Sequence, residues 1–306
     1  YMQEVNVFDY FLTDEGIFYI STSDSHLEDT ILGRPVYIED SSGDRTFNRQ
    51  NYSKTPRDAS EVDGIETSHL SDTASNVARE NLEELRRPFE REKKILENVD
   101  EKTTELYTRL NNAVEQDLGL IGSQLWGLNI AESDVDMVLR GESPEEIRNA
   151  LNTVPSNTDL KLMEDEIHQQ KAEKYSDIYD IAKREAFNHV TTPRRRYKHP
   201  EIDSKISLIP VQEPGTADFN LPSRDERTQC IQEEGVVYDD SLSFTSPRIY
   251  GVETESHGDV QVMTDRWIYA GSYEEGDEVE IEGTYFKDSN TIALNEPGHD
   301  ISPIDL

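Results

Sequence analysis

Cysteine is almost absent from this sequence, which has Cys230 alone among its 306 residues. A single cysteine excludes an intrachain disulfide framework and a cysteine-based zinc site, and it fits a reducing compartment. Long apolar runs are also missing, and no stretch reaches the roughly 20 residues that a membrane-spanning helix needs. The first residues, Tyr1 to Val5, lack the pattern of a secretory signal. We therefore predict a cytoplasmic protein with no membrane partner.

Basic residues are scarce, with 30 Lys and Arg against 64 Asp and Glu, a formal net charge of −34. The acids are spread along the whole chain, which is typical of a surface solvated in concentrated salt, where screening reduces self-repulsion. We expect the source to be an extreme halophile. Disorder is the alternative, but the hydrophobic fraction of 34% lies in periodic segments, which favours a folded chain. A missing basic patch counts less against nucleic-acid partners under such salt.

The first third of the chain predicts a small β element followed by helices. Alternating apolar residues on either side of Asp14-Glu15-Gly16 indicate a hairpin, and a further strand is predicted at 34–38. We assign residues 1–55 to this N-terminal β element and expect a loop after it. Apolar spacings of three and four then predict helix over 74–116, divided in two because Pro88 interrupts it.

The remainder predicts helices, then a strand, then an all-β end. Ser143-Pro144-Glu145-Glu146 has the form of a capped helix start, and this helix is expected to end near Leu151. A longer helix is predicted over 159–187 and a strand over 205–209. Residues 240–306 contain several short strands separated by turns, one of them at 267–270, and predict a small all-β module, with a barrel as one possibility.

One stretch, Leu120 to Gly141, has the pattern of a site. Its residues predict a strand, a Gly122-Ser123 turn that opens a short helix, and a second strand with Asp134 and Asp136. Residues i and i+2 of a strand share a face, so the two carboxylates should lie together, as a divalent metal requires. The turn offers backbone N–H groups to a phosphate. Asp-x-Asp is frequent by chance in so acidic a chain, and a solvated edge strand is the alternative.

This stretch resembles the core motif of the polymerase-β-type nucleotidyltransferases, in which Gly-Ser precedes a strand with two aspartates among apolar residues. It is similar also to a group of archaeal predicted nucleotidyltransferases, in the hairpin over 9–18 and around Phe244 to Pro247. The resemblance implies an α+β fold with a mixed sheet and flanking helices over 74–215. The N-terminal β hairpin element (1–55) and the C-terminal small all-β module (240–306) would then be additions to this core.

The resemblance also implies a site and a reaction. Asp134 and Asp136 would hold two Mg²⁺ (or Mn²⁺) ions, and Gly122 and Ser123 would bind the β- and γ-phosphates of a nucleoside triphosphate. The reaction would transfer a nucleoside monophosphate to a hydroxyl of an unidentified acceptor, either a nucleic acid or a protein. The superfamily usually has a third catalytic carboxylate on a later strand. Ser207 stands at the expected position here, and Asp203 is the candidate replacement.

The most basic cluster of the chain consists of Arg194, Arg195, Arg196 and Lys198. We interpret it as a phosphate clamp for a triphosphate or a nucleic-acid backbone. The alternative is a loop whose basic residues form salt bridges with the acidic helix before it. Because the third carboxylate is missing, two further hypotheses stay open. One is a catalytically degenerate protein that binds nucleotide or nucleic acid, and the other is a structural or interaction protein that reuses the fold.

Overall fold

A computed structural model describes residues 4–23, 29–56, 62, 65–71, 73–90, 99–130, 133–163, 165–191, 196–200, 202–213 and 221–304. Within these ranges, side chains at 156–157, 165–167 and 202–204 lie outside the description. The fold is mixed α and β, with 22% helix, 41% strand and three separate sheets. The predicted α+β class is therefore confirmed at this level.

The N-terminal sheet has strand order β4-β5-β3-β2-β1-β7, with β6 paired to β3. The predicted hairpin is confirmed as β1 and β2, and the strand predicted at 34–38 lies within β3. The strands are β1 Tyr10–Thr13, β2 Phe18–Ser21, β3 Thr30–Glu39, β4 Arg45–Phe47, β5 Gln50–Lys54, β6 Ser75–Ala78 and β7 Leu82–Arg86.

The helix predicted between residue 74 and Pro88 is wrong. Those residues form β6, a short 3-10 turn at Arg79–Asn81, and β7, which pairs antiparallel with β1. Leu82 and Leu85 pack against the buried side of β1 and β2, so pairing and burial override a helical spacing. Two strands of the N-terminal sheet thus come from the range assigned to the core.

A second, five-stranded sheet has the order β10-β11-β12-β9-β8. Its two central strands, β9 and β12, run parallel, and the other pairs are antiparallel. The elements of this part are α1 Glu101–Ala113, β8 Asp117–Leu120, α2 Ser123–Trp126, β9 Val135–Gly141, α3 Pro144–Asn157, β10 Lys161–Leu162, α4 Asp165–Tyr179, α5 Lys183–Thr191, β11 Arg196–His199 and β12 Ile202–Gln212.

The α3 helix begins where the sequence predicts, whereas α4 begins at Asp165, six residues after the predicted start at 159. Ser143 caps α3 by accepting a hydrogen bond from the N–H of Glu146 at 3.3 Å, as predicted, but the helix continues to Asn157. The single helix predicted over 159–187 is instead two helices. The break lies at Asp180, whose φ of +53° is left-handed and cannot continue an α-helix.

The C-terminal sheet closes into a barrel, because β13 pairs with both β14 and β16. The barrel begins at Thr228, twelve residues before the predicted boundary of 240, and the strand predicted at 267–270 is a 3-10 turn over Trp267–Tyr269. The strands are β13 Thr228–Leu242, β14 Arg248–Thr254, β15 Gly258–Thr264, β16 Glu278–Phe286, β17 Thr291–Ala293 and β18 Asp300–Pro303.

The three sheets share apolar contacts, and Trp126 on α2 lies where the N-terminal sheet meets the second sheet. Its ring is 2% exposed, meets Phe18 edge-on with centroids 4.7 Å apart, and lies 4.1 Å below the Arg86 guanidinium carbon. The second sheet and its helices contact the barrel through Tyr175 and Tyr179 of α4. No helix in the described ranges is long and apolar enough to cross a membrane.

We predict that Trp126→Ala destabilises the protein by about 3–5 kcal/mol, because it removes a buried aromatic ring from a closed interface. Guanidinium denaturation measures the change in the free energy of unfolding. Tyr238→Ala is the matched control, since Tyr238 is 44% exposed and its loss should cost less than about 0.5 kcal/mol. Equal losses in both variants would contradict this assignment of the interface.

Candidate functional site

A cavity with a volume of about 290 Å³ is lined by residues of all three sheets. This volume is close to the roughly 300 Å³ at which small-molecule sites begin. Gly122, Ser123, Asp134 and Asp136 line it together. The stretch singled out from the sequence therefore faces a real cavity, which excludes the edge strand with a solvated face.

The Gly122-Ser123 turn lies directly against the carboxylate strand. Gly122 has a φ of +70°, a conformation that favours glycine, and the N–H of Ile121 donates to the carbonyl of Asp136 at 3.0 Å. A Cβ on Gly122 would lie 3.5 Å from Oδ2 of Asp136. Gly127, with a φ of +69°, ends the short α2 helix. Two left-handed glycines thus fold the turn onto the carboxylate.

The two aspartates lie at the start of β9. Asp136 is its second residue, whereas Asp134 comes one residue before the strand and not within it as predicted. Burial raises the pKa of the Asp136 carboxyl, and the negative charge of Asp134 raises it further. A hydrogen bond from Ser207 and the positive charges of Lys54 and Lys171 act in the opposite direction. The cavity therefore contains two carboxylates that repel each other.

Ser207 lies beside Asp136 on the neighbouring parallel strand, since the two residues are register partners of β12 and β9. This is the position at which the family resemblance implies a third carboxylate. The chain thus has a hydroxyl donor there instead of an acid. Asp203 belongs to the first part of β12, and its side chain lies outside the described residues.

Arg45 of the N-terminal sheet fixes the loop that leads into the aspartates. Its Nη1 donates to the carbonyl of Leu128 at 2.6 Å and contacts the Ser133 hydroxyl at 3.5 Å, and its guanidinium lies 5.3 Å from the ring of Tyr37. The Ser133 hydroxyl also accepts from the N–H of Ile130 at 2.9 Å. A residue far from the motif in sequence therefore positions the backbone just before Asp134.

Two tyrosines of the N-terminal sheet face the Gly-Ser turn. Burial raises the pKa of Tyr10 and of Tyr37, and in both cases the charge of Asp136 adds to the effect. Hydrogen bonds from Gly122 to Tyr10 and from Ser123 to Tyr37 act in the opposite direction. The hydroxyls of both tyrosines therefore lie at the turn that would contact a ligand.

Cations are concentrated in the same cavity. Of the 30 Lys and Arg in the chain, seven line it, against the three carboxylates of Asp134, Asp136 and Asp265, which leaves a formal charge of +4. They come from the N-terminal sheet, from α4 and β11, and from the barrel: Arg34, Arg45, Lys54, Lys171, Arg196, Arg248 and Arg266. In a chain of charge −34, this is a local concentration of positive charge, which favours an anionic ligand.

The structure separates the members of the basic cluster predicted from the sequence. Arg196 is buried on β11 and lines the cavity, whereas Lys198, two residues further along the strand, is exposed. Arg194 and Arg195 lie outside the described residues. The segment over 196–199 is strand β11 of the second sheet, and not the salt-bridged loop of the alternative interpretation.

Most cations of the cavity could not be found from the sequence. Arg34, Lys54 and Arg45 belong to strands without any local motif, and Arg248 and Arg266 are isolated basic residues in an acidic β-rich region. Arg248 begins β14 and Arg266 follows β15, and both are buried, at 2% and 1% exposure. Burial of this kind is decided by tertiary contacts, and the pattern of neighbours does not reveal it.

The donor set fits one divalent cation better than two. The carboxylates of Asp134 and Asp136 repel each other, and the Ser207 hydroxyl lies beside Asp136. All three groups are oxygen ligands of the kind that Mg²⁺ accepts. Among the described residues, no group of three His, Cys, Asp or Glu side chains is placed to hold a metal.

Comparison of the chain with protein-family models, with curated proteins and with solved structures finds no match. The cavity and its residues are therefore the basis for a functional proposal.

We predict that Asp136→Asn raises the Tm at neutral pH when divalent cations are absent. Because the folded-state pKa of Asp136 is raised, the stability that its protonated form contributes is present below the ordinary pKa of 3.8 and is lost as pH rises through the folded value. The amide removes this loss. Calorimetry from acidic to neutral pH should show a gain that grows with pH.

Asp259→Asn is the control for this experiment, because it removes the same charge from an exposed position on β15. It should leave the Tm close to that of the wild type. A gain for Asp136→Asn that does not change with pH would show that ionisation of Asp136 is not the cause.

Proposed function

We propose that the protein is a Mg²⁺-dependent nucleotidyltransferase that transfers a nucleoside monophosphate from a nucleoside triphosphate to an acceptor hydroxyl. One observation carries this proposal. The Gly122-Ser123 turn, both aspartates and seven cationic side chains line the same cavity. A triphosphate needs cations for its phosphates, and its transfer chemistry needs paired carboxylates, and the two requirements meet here.

The N-terminal sheet and the Gly-Ser turn supply the triphosphate site. Arg34, Arg45 and Lys54 line the cavity beside the turn. The charge of Arg34 lowers the pKa of Tyr10, and the charges of Arg34 and Arg45 lower that of Tyr37. The charge of Lys54 lowers the pKa of Asp136. Guanidinium groups bind phosphate oxygens through paired, charge-assisted hydrogen bonds. Gly122 presents no side chain at the point nearest Asp136, so a phosphate can approach the backbone there.

Asp134 and Asp136 would hold the metal, with the Ser207 hydroxyl next to Asp136. When bound, Mg²⁺ supplies positive charge that offsets the negative charge of the phosphates during transfer. The side chains of this protein perform the remaining tasks. Lys54 and Lys171 act against the effect of burial on the Asp136 pKa and favour the ionised carboxylate, which is the form that binds a metal.

The reaction is a displacement at the α-phosphorus. An oxygen of the acceptor hydroxyl forms a bond to that phosphorus, and the bond from the phosphorus to the bridging oxygen of pyrophosphate breaks. The hydroxyl proton is released to water, and pyrophosphate leaves. Arg45 contributes by holding the 128–133 loop, so that Asp134 stays aligned with Asp136.

A second candidate function is nucleotide binding without turnover, and Ser207 is the observation that favours it. A hydroxyl in place of the third carboxylate gives weaker support to a metal on the side of the attacking group. The phosphate-binding cations do not depend on that residue. Binding would then persist while transfer is slow or absent.

We predict that the double substitution Asp134→Ala/Asp136→Ala abolishes Mg²⁺-dependent pyrophosphate release from nucleoside triphosphates in multimolar KCl. The loss should exceed about 100-fold, because removal of a metal ligand costs more than removal of its supporting contacts. Asp259→Ala, with its exposed carboxylate on another sheet, is the control and should retain activity. Release that survives the double substitution would overturn the site assignment.

The substitution Ser207→Asp separates transfer from binding alone. It places a third carboxylate beside Asp136, so it should strengthen Mg²⁺ binding about tenfold and raise turnover if the site is built for transfer. Ser207→Asn, similar in size and uncharged, is the control. Tighter metal binding with no pyrophosphate release in any variant would favour the binding-only function.

A further inference from the structure

The barrel contributes its own cations to the cavity, apart from those beside the Gly-Ser turn. Arg248 on β14 donates from Nη1 to the carbonyl of Asp265 and contacts the Ser246 hydroxyl, both at 3.0 Å. Arg266 donates to the carbonyls of His299 and Glu296, each at 2.6 Å. These bonds to main-chain and hydroxyl oxygens fix the positions of the two guanidinium groups at the cavity wall, which Asp265 also lines.

Arg196 of β11 joins this wall of the cavity. Its Nη1 donates to the carbonyl of Val190 at 3.2 Å, and its guanidinium carbon lies 5.2 Å from the ring of Trp267. Trp267 is only partly buried, and Tyr175 meets it edge-on with centroids 5.2 Å apart. We call Arg196, Arg248 and Arg266 the barrel-side arginines. All three line the cavity, and each is no more than 5% exposed.

The barrel has the strand order of an OB-fold, β13-β14-β15-β17-β16 and back to β13, with β15 and β17 parallel. Many OB-folds bind oligonucleotides across their second and third strands, here β14 and β15. On that outer face Ile249 and Met263 are covered by an apolar cluster that includes Leu70. Further along, Glu253 and Asp259 lie opposite each other and are exposed. This face is partly covered and partly acidic, so it repels a phosphate backbone.

We propose that the barrel-side arginines form a second anion subsite, and that the acceptor is a small phosphorylated molecule with a free hydroxyl. This inference rests on the proposed transfer reaction and specifies its acceptor. A nucleic acid needs a basic track on the surface that follows its backbone. The described barrel strands offer acids instead, and the cations line a single cavity of about 290 Å³ rather than an extended surface track.

The subsite would also work in concentrated salt. Exposed charges are screened within about 3 Å at roughly 1 M ionic strength, whereas buried pairs are screened much less. An arginine group that is almost fully buried therefore keeps its affinity for a phosphate under conditions that weaken surface contacts to nucleic acid.

The test uses the full chain in multimolar KCl, with three probes in titration calorimetry. Tripolyphosphate probes the Gly-Ser side, glycerol 3-phosphate probes the barrel side, and a single-stranded oligonucleotide with a free 3′-hydroxyl tests the nucleic-acid alternative. We expect glycerol 3-phosphate to bind even when tripolyphosphate is saturating. Arg248→Gln should weaken the binding of glycerol 3-phosphate about tenfold and leave the affinity for tripolyphosphate unchanged. Arg248→Lys should lose less of the affinity for glycerol 3-phosphate. Arg34→Gln should do the reverse.

The proposal is overturned if glycerol 3-phosphate does not bind the wild type, if tripolyphosphate displaces it fully, or if the oligonucleotide binds more tightly. Circular dichroism of each variant shows that an observed loss is not unfolding. The same titration with Asp134→Ala/Asp136→Ala separates this inference from the proposed reaction. Retained glycerol 3-phosphate binding there supports the subsite even if no variant releases pyrophosphate.

Discussion

Electrostatic opposition between a partly buried carboxylate pair and the cations around it is the constraint on which the site depends. Asp136 lies where burial and Asp134 both disfavour its charge, and Lys54 and Lys171 counteract them. In a protein of charge −34, seven cations collected around one cavity are a local reversal of the surface field. Such an arrangement costs folding free energy in the absence of a ligand, and ligand binding offsets that cost.

The three sheets are arranged so that each supplies a different component of the cavity. The N-terminal sheet provides Arg34, Arg45 and Lys54, and the second sheet provides the carboxylates on β9 and the serine on β12. The barrel provides Arg248 and Arg266. No single sheet provides both the carboxylates and most of the cations. The N-terminal sheet and the barrel are therefore both part of the site.

Local signals in the sequence predicted the parts of the fold whose structure depends on neighbouring residues. The hairpin around Asp14-Glu15-Gly16, the cap at Ser143 and the Gly122-Ser123 turn all follow from turn and capping chemistry over a few residues. Predictions failed where distant contacts decide the outcome. Residues 75–86 have helical spacing, yet β1 and β3 offer them strand partners, and pairing with burial outweighs a weak helix propensity.

The composition and the 120–141 stretch by themselves determined the acidic character of the protein, the Gly-Ser turn, and an aspartate pair at the start of a strand. These follow from formal charge and from backbone periodicity, which need no tertiary information. Only the tertiary structure decided that Ser207 stands beside Asp136, that Arg45 holds the preceding loop, and that the barrel-side arginines share the cavity. The physical reason is that charge and hydrogen-bond partners act through space. Residues that are far apart in the sequence become neighbours only when the sheets pack.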